Sequence, residues 1–587
     1  MKISLLTLSL ATLLAGCTHL STTTPQKQTK SDVPQKADIA PEQGTGLTKQ
    51  ELVRAKEFMV ASANPLATQA GYEILQQGGS AIDAMIAVQT TLGLTEPQSS
   101  GLGGGALVVY WDNTAKKLTT FDARETAPKA ISPTVFLDKD GKPLQFMDAV
   151  VGGGSVGVPA IPKLFEVLHE RYGVLPWRSL FDKPTKLAKD GFLVSNRLAQ
   201  SIEQNKKYLA KHEVTSNYFM PNGKPLQAGA LLKNADYANT LQILAKQGSK
   251  PFYDGMLAQN IVKIVNHAPN AGSIAMSDFN HYKVIERTPV CQEYRKYQVC
   301  GMGAPSSGGI ALGQILGILN HYPAKPSPSP NFWRWVGNAS ALAFADRGKY
   351  VADADFVNVP THALLNDNYL KSRAKLIQDS NKALTDVKAG DLADYATDTS
   401  MELPSTTHIV IVDKAGNVLS MTSSIENAFG STLMANGYLL NNELTDFAFE
   451  PTKDGKPVAN AVQGNKRPRS SMAPTIVLKD GEPYMAVGSP GGSRIIGYVA
   501  KTLVAHLDFG MDIQSAISYP NILNRGSTYE LEQNSDITKL EPTLKDMGYK
   551  VQVRDLNSGV QAILLDKQNG ELLGGADPRR EGKVMGR

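Results

Sequence analysis

Pro404-Ser405-Thr406-Thr407-His408 stands where a polar loop gives way to an alternating apolar run. A threonine hydroxyl is a weak nucleophile unless a base sits beside it. The most economical base is the residue's own α-amine, freed by cutting the preceding peptide bond. An α-amine titrates near about 7.7 to 8.0, so a useful fraction is neutral at ordinary pH. Thr-rich strand starts are common, so the string takes its meaning from its surroundings. Just downstream, residues 407–412, the turn Lys414-Ala415-Gly416-Asn417 and residues 418–425 predict a hairpin. A second hairpin is predicted over 475–487, around Asp480-Gly481. Gly491-Gly492 then precede a helical pattern starting near Ser493, with Ile495, Ile496, Val499, Leu503, Val504 and Leu507 on its apolar side. Backbone N–H groups at such a helix start suit a developing oxyanion.

Upstream, apolar residues fall at helical spacing over 49–58, over 65–77 ending at Gly78-Gly79, and over 81–94. Gly101-Leu102-Gly103-Gly104-Gly105-Ala106 fits a dinucleotide fingerprint by letter, and Asp122 lies near the distance of a ribose ligand. The order of elements contradicts it: the fingerprint needs strand, glycine turn, helix, whereas here a helical segment precedes and the strand-like 106–111 follows. These glycines read instead as a tight turn with close backbone packing. Residues 155–400 are mostly helical with loops, including 312–321 and 333–345, and the Pro-rich 323–330 reads as a surface connector. Helices embracing paired sheets is the coarse expectation.

A chain of 587 residues exceeds the size at which one core normally stops growing, so two subdomains or one large layered sandwich are both open. With 60 Lys+Arg against 55 Asp+Glu the net charge is +5, and several lysines sit in a polar N-terminal stretch, so nucleic acid is not implied. The sequence contains no His-Glu-x-x-His, Cys-x-x-Cys or P-loop. No metal and no cofactor are expected. Lys2, the apolar run 3–14 and Leu14-Ala15-Gly16-Cys17 read as a lipoprotein signal peptide over 1–17, with Cys17 as the lipidated residue. Residues 18–45 read as a disordered polar tether. Export implies an oxidising compartment, where Cys291 and Cys300 could pair across a hairpin; two free buried thiols fit the spacing equally.

Further motifs run in a fixed order along the chain: Gln76-Gln77-Gly78-Gly79-Ser80-Ala81-Ile82-Asp83-Ala84, Gly101 to Gly105, Arg124-Glu125-Thr126-Ala127-Pro128, Pro305-Ser306-Ser307-Gly308-Gly309, Thr406-Thr407-His408, Leu440-Asn441-Asn442-Glu443, Arg467-Pro468-Arg469-Ser470-Ser471-Met472 and Gly488-Ser489-Pro490-Gly491-Gly492. By these the chain resembles the γ-glutamyltranspeptidase family of N-terminal-nucleophile hydrolases, from about residue 46 to the C-terminus. The resemblance implies an α+β fold, a four-layer αββα sandwich with two stacked antiparallel sheets. It implies cleavage between Ser405 and Thr406, giving a large subunit 46–405 and a small catalytic subunit 406–587 that stay together as a heterodimer. Thr406 would be the nucleophile, Thr407 a support for its hydroxyl or amine, and Gly491 and Gly492 the oxyanion donors; His408 would be structural.

For a γ-glutamyl donor such as glutathione, the resemblance makes Arg124 the α-carboxylate clamp, aided by Ser470 and Ser471. Glu426, Glu443 and Asp446 would hold the α-ammonium, with Ser424 and Gly492 also lining the substrate site. Ser424 stands where threonine is frequent and Glu426 where asparagine is, so donor preference is less fixed than donor class. Acceptors would be water or the amines of amino acids and dipeptides. Residues 449–464 resemble the family's lid loop, and a flexible polar loop fits them equally well. A cephalosporin-type acylase or a poly-γ-glutamate-processing enzyme of the same fold is the alternative, and a tethered, inactive binding protein a third reading. The lipid anchor would hold the enzyme in the periplasm, and Thr18 after Cys17 favours the outer membrane by resemblance to bacterial sorting patterns.

Overall fold

Thr406–Val412, Thr-Thr-His-Ile-Val-Ile-Val, is β-branched at six of its seven positions, a composition that packs well on a pleated surface. The computed structural model describes residues 44–323, 328–378, 380–398, 400, 402–403, 405–526 and 528–587. The signal peptide with Cys17, nearly all of the tether and the middle of the Pro-rich connector lie outside these described residues.

Two seven-stranded antiparallel sheets form the centre. Their strands in chain order are β1 (Val53–Ala55), β2 (Met59–Ser62), β3 (Gly105–Asp112), β4 (Lys117–Ala123), β5 (Ile285–Arg287), β6 (Val290–Tyr294), β7 (Tyr297–Gly301), β8 (Thr406–Val412), β9 (Val418–Ser424), β10 (Thr475–Lys479), β11 (Glu482–Gly488), β12 (Gln561–Asp566), β13 (Glu571–Ala576) and β14 (Lys583–Gly586). One sheet runs β14-β2-β8-β9-β3-β4-β5, the other β1-β13-β12-β11-β10-β7-β6.

Alternation along β8 assigns its faces. Val410 and Val412 point between the sheets, against Ile476, Ala486 and Ile563. Ile409 and Ile411 point outward, into the core under helices α1 (Pro65–Gln76) and α2 (Ala81–Thr95). Helices α3 (Gly308–Leu319), α4 (Pro330–Tyr350) and α5 (Ile495–Leu507) cover the other sheet. The result is the four-layer αββα sandwich, a single layered body rather than two subdomains.

Local chemistry sets the helix starts. Asn64 caps α1 through Leu66 N–H with proline at the first turn, and Ser80 and Asp83 form a reciprocal capping box on α2. The two hairpins fall where the turn chemistry puts them. The helix expected over 49–58 is not there: Val53–Ala55 is an edge strand pairing Val53 with Gly574, and Lys56 and Glu57 N–H groups donate to Arg587 O. Tertiary pairing outweighs the weak helical spacing of this stretch. The largely helical middle also contains β5 to β7, where Cys291 and Cys300 face each other across β6 and β7 as a disulfide.

Candidate active site

Thr406 is the first residue of β8, at the mouth of the sandwich, directly opposite Ser424 at the end of β9. Its Oγ1 lies 3.3 Å from Ser424 Oγ. Ser424 Oγ donates to Ser405 O at 3.0 Å and accepts the Glu426 N–H at 2.9 Å. With its single proton directed at the Ser405 carbonyl, Ser424 can only accept from Thr406. One hydroxyl therefore links the Thr406 hydroxyl to the Ser405 carbonyl, accepting a hydrogen bond from the first and donating one to the second. Ser405 Oγ, in turn, is fixed on Gln98 O at 2.7 Å.

The next two residues follow the strand's alternation. Thr407 pairs with Ser423 and faces the helix layer; its Oγ1 has no hydrogen-bond partner among the described residues. The expected support of the Thr406 hydroxyl comes from Ser424 instead. His408 points between the sheets, with Nδ1 2.9 Å from Thr422 Oγ1. Burial holds it neutral, with its pKa down at about 3. A Cβ on Gly488 would lie 2.2 Å from its ring, so only glycine lets the sheets close over it.

Gly491 and Gly492 turn the chain from β11 into α5 at φ +136° and +58°, conformations that favour glycine. Here Glu402 lies against the helix start: Ser493 N–H donates to Glu402 O at 3.4 Å. A Cβ on Gly492 would lie 2.3 Å from Leu403 O. Gly103 and Gly104 have the packing role read from the sequence, since a Cβ on either would sit 2.1 Å from a carbonyl of Leu439 or Ser424.

Arg124 is buried rather than a surface partner of Glu125. It donates to Glu443 Oε1, to Asp446 Oδ2 at 2.5 Å, to Arg469 O at 2.8 Å and to Pro468 O at 3.2 Å. Burial opposes its charge, but Glu443 and Asp446 more than restore it, and its pKa is raised. Glu426 accepts from Leu403 N–H at 3.0 Å and from Asn442 Nδ2 at 2.6 Å. Burial holds the Asp446 carboxyl well above the usual range, with Glu426 adding to it, and likewise that of Glu125, with Glu443 adding to it. Three carboxyl groups, those of Glu443, Asp446 and Glu125, surround the Arg124 guanidinium.

Ser470 Oγ accepts from Met472 N–H at 3.1 Å, whereas Ser471 Oγ donates to Glu402 Oε2 at 2.6 Å. Arg347, at the end of α4, donates to Glu402 Oε1, to Ser471 Oγ at 3.0 Å and to Ser307 Oγ at 3.0 Å. Burial, with the neighbouring Arg469, pushes the Arg347 pKa down to about 10. The cavity lined by Arg124, Thr406, Ser424, Glu443, Asp446 and Ser471 is nearly closed, with about 10 Å³ left, and Glu402 and Leu403 form part of its wall.

The lid candidate 449–464 carries an exposed hairpin, Thr452–Lys453 with Lys456–Pro457. Its buried root reaches the site through Asn460 Nδ2, which donates to Asp446 O at 2.7 Å. Arg347 and Glu402 escaped sequence reasoning. The signal available was an acid four residues before the scissile bond, and nothing local pairs it with an arginine on α4. Among the described residues no group of three or more His, Cys, Asp or Glu could hold a metal ion, and no helix is long and apolar enough to cross a membrane.

A sandwich of two antiparallel sheets between helical layers, with a threonine heading a central strand at its mouth, defines an N-terminal-nucleophile hydrolase. Comparison with known proteins narrows the class. The family described as Gamma-glutamyltranspeptidase matches residues 67–587. The glutathione hydrolase proenzyme of Bacillus subtilis (strain 168) is 37% identical over 547 residues, covering 90% of this chain and 92% of that protein. That of Escherichia coli (strain K12) is 38% identical over 546 residues, covering 90% and 91%. The cephalosporin acylase structure from Bacillus halodurans superposes with a TM-score of 0.82 at 25% identity, covering 92% of this chain and 97% of that one. The chain belongs to the γ-glutamyltranspeptidase family.

Proposed function

We propose that this chain is the precursor of a γ-glutamyltransferase and glutathione hydrolase that cuts itself between Ser405 and Thr406. The observation that carries this is the Thr406–Ser424–Ser405 constellation, with the nucleophile, the proton acceptor and the carbonyl to be attacked in one hydrogen-bonded line. The Thr406 hydroxyl adds to the Ser405 carbonyl, the C–N bond breaks, and an ester replaces the peptide. Water then releases Ser405 as a carboxylate and leaves Thr406 with a free hydroxyl and α-amine. That amine is the base for the second reaction, in which the hydroxyl attacks the γ-carbonyl of a glutamyl donor. The acyl group passes to water or to an amino-acid or dipeptide amine.

In this reading Gly491 and Gly492 supply backbone donors to the oxyanion. Ser470, Ser471 and Arg124 receive the donor's α-carboxylate; Glu426, Glu443 and Asp446 receive its ammonium. Residues 46–405 and 406–587 become the large and small subunits of a heterodimer, as the name proenzyme of the relatives supports. No cofactor enters any step. The signal peptide, the lipid on Cys17 and periplasmic, outer-membrane anchoring belong to the same proposal, and the disulfide Cys291–Cys300 fits an exported protein.

The test is mass spectrometry of the purified protein with a γ-glutamyl-p-nitroanilide assay. A new amino terminus at Thr406 with turnover is expected, and Thr406→Ala should remain one inactive chain. Turnover from a protein with the Ser405–Thr406 bond intact would overturn the reading. The structural likeness to a cephalosporin acylase favours one alternative, for which glutaryl-cephalosporin would be hydrolysed and the γ-glutamyl anilide not. The surplus of acids around Arg124 argues for a donor that carries an amine.

A further inference from the structure

Glu402 reaches the proposed active site with three of its polar groups or neighbours at once. Its carbonyl lies at the Gly491-Gly492 turn, accepting from Ser493 N–H at 3.4 Å and sitting 2.6 Å from where a Gly492 Cβ would be. Its carboxylate takes the Ser471 hydroxyl at 2.6 Å and the Arg347 guanidinium, with Arg469 Nε at 3.8 Å. The N–H that follows it, on Leu403, occupies Glu426 at 3.0 Å. A glutamyl residue in a normal peptide and a γ-glutamyl group are the same glutaric skeleton read from opposite ends. Each has an amide carbonyl at one end and a carboxylate at the other, separated by the same carbon chain. Only the position of the nitrogen differs.

We infer that Glu402 is a built-in pseudo-substrate, and that Arg347, acting with Ser471 and beside Arg124, becomes a second guanidinium for the α-carboxylate of the γ-glutamyl donor after cleavage. This rests on the γ-glutamyl reading of the site and adds a specificity-determining residue to it. In the uncut chain Arg124 is already engaged by Glu443, Asp446 and two carbonyls. Arg347 is engaged by an acid that leaves. Glu402 and Asp398, the partner of Arg469 at 2.8 Å, both belong to the segment that ends at the cut. When that segment withdraws, buried guanidiniums lose their anions, a state that strongly favours capture of a replacement carboxylate. The precursor is thereby kept from binding donor until Thr406 has its free amine.

The mature wild-type enzyme tests this with γ-glutamyl-p-nitroanilide and two peptides, acetyl-Glu-Leu-Pro-Ser and acetyl-Gln-Leu-Pro-Ser. The Glu peptide should raise KM and leave kcat unaltered, and the Gln peptide should be at least ~10-fold weaker. Equal inhibition by both, or none up to roughly 10 mM, above the ~mM effective concentration of a short tether, overturns the proposal. In a second arm, Arg347→Lys is assayed on γ-glutamyl-p-nitroanilide and on 4-aminobutyryl-p-nitroanilide, which lacks the carboxylate. The wild-type preference for the carboxylate-bearing donor should fall by ~10-fold or more, chiefly through KM; full retention overturns the proposal. If Arg347→Lys does not mature, the peptide arm decides. Absence of any γ-glutamyl turnover in the wild type would instead remove the reading on which the inference rests.

Discussion

Ser424 does two things with one hydroxyl, accepting from the Thr406 hydroxyl and donating to the Ser405 carbonyl. Ser424→Ala should slow self-cleavage by about 10²-fold, the lower range for loss of a proton-transfer group, while Ser424→Thr keeps the hydroxyl and most of the rate. Gel densitometry over time after purification reads the difference. His408 makes a separate prediction about stability. Its folded pKa, about 3, lies below the ordinary value near 6.5, so the unfolded chain binds the extra proton first as pH falls. Stability is therefore present above pH ~6.5 and lost progressively toward pH ~3, about 2 kcal/mol of it by pH 5. In the uncut Thr406→Ala background, His408→Gln should lose about 2 kcal/mol less than its parent between pH 7 and 5, measured by urea unfolding. Parallel losses would show that other groups govern the acid limb.

At the scale of elements, the β8–β9 hairpin and the start of α5 bring the two halves of the chemistry together. The hairpin register sets Thr406 against Ser424, and the glycine turn before α5 lets Glu402 and Leu403 lie against the helix start. A methyl group at Gly492 would meet Leu403 O at 2.3 Å, in a backbone conformation at φ +58° that side chains rarely adopt. Gly492→Ala should displace the preceding segment and slow cleavage by roughly tenfold or more, the effect of ~1–3 kcal/mol of overpacking. Cleavage at the wild-type rate would mean that the turn tolerates the methyl group and does not position that segment.

The whole molecule interleaves its two parts. β8 and β9 lie between β2 and β3 in one sheet, and β10 and β11 lie between β7 and β12 in the other. Separating the products of a cut before Thr406 would break central ladders in both sheets. The fragments should therefore co-elute in size-exclusion chromatography and separate only in denaturant, and native dissociation would contradict the arrangement. The same interleaving made part of the fold legible and hid the rest. The hairpins over 407–425 and 475–487, the helices over 65–77 and 81–94 and the helix after Gly492 announce themselves by periodicity and turn residues. The edge strand Val53–Ala55 does not, because its partner lies more than five hundred residues away in sequence.

The sequence by itself determined the turn before α5 through local residue chemistry; through the ordered motifs that carry the family resemblance it pointed to the layered class, to Thr406 as the expected nucleophile and to Arg124, Glu426, Glu443, Asp446 and Ser470-Ser471 as the expected cluster. It left the cysteines open between disulfide and free thiols. Only the tertiary structure decided that Cys291 and Cys300 are bonded, that Thr407 faces the helices while Ser424 faces Thr406, and that Glu402 rests on Arg347 and Ser471. The physical reason is that strand register and burial bring together groups that no spacing along the chain relates. A carboxylate finds its guanidinium there through packing of α4 against the sheets.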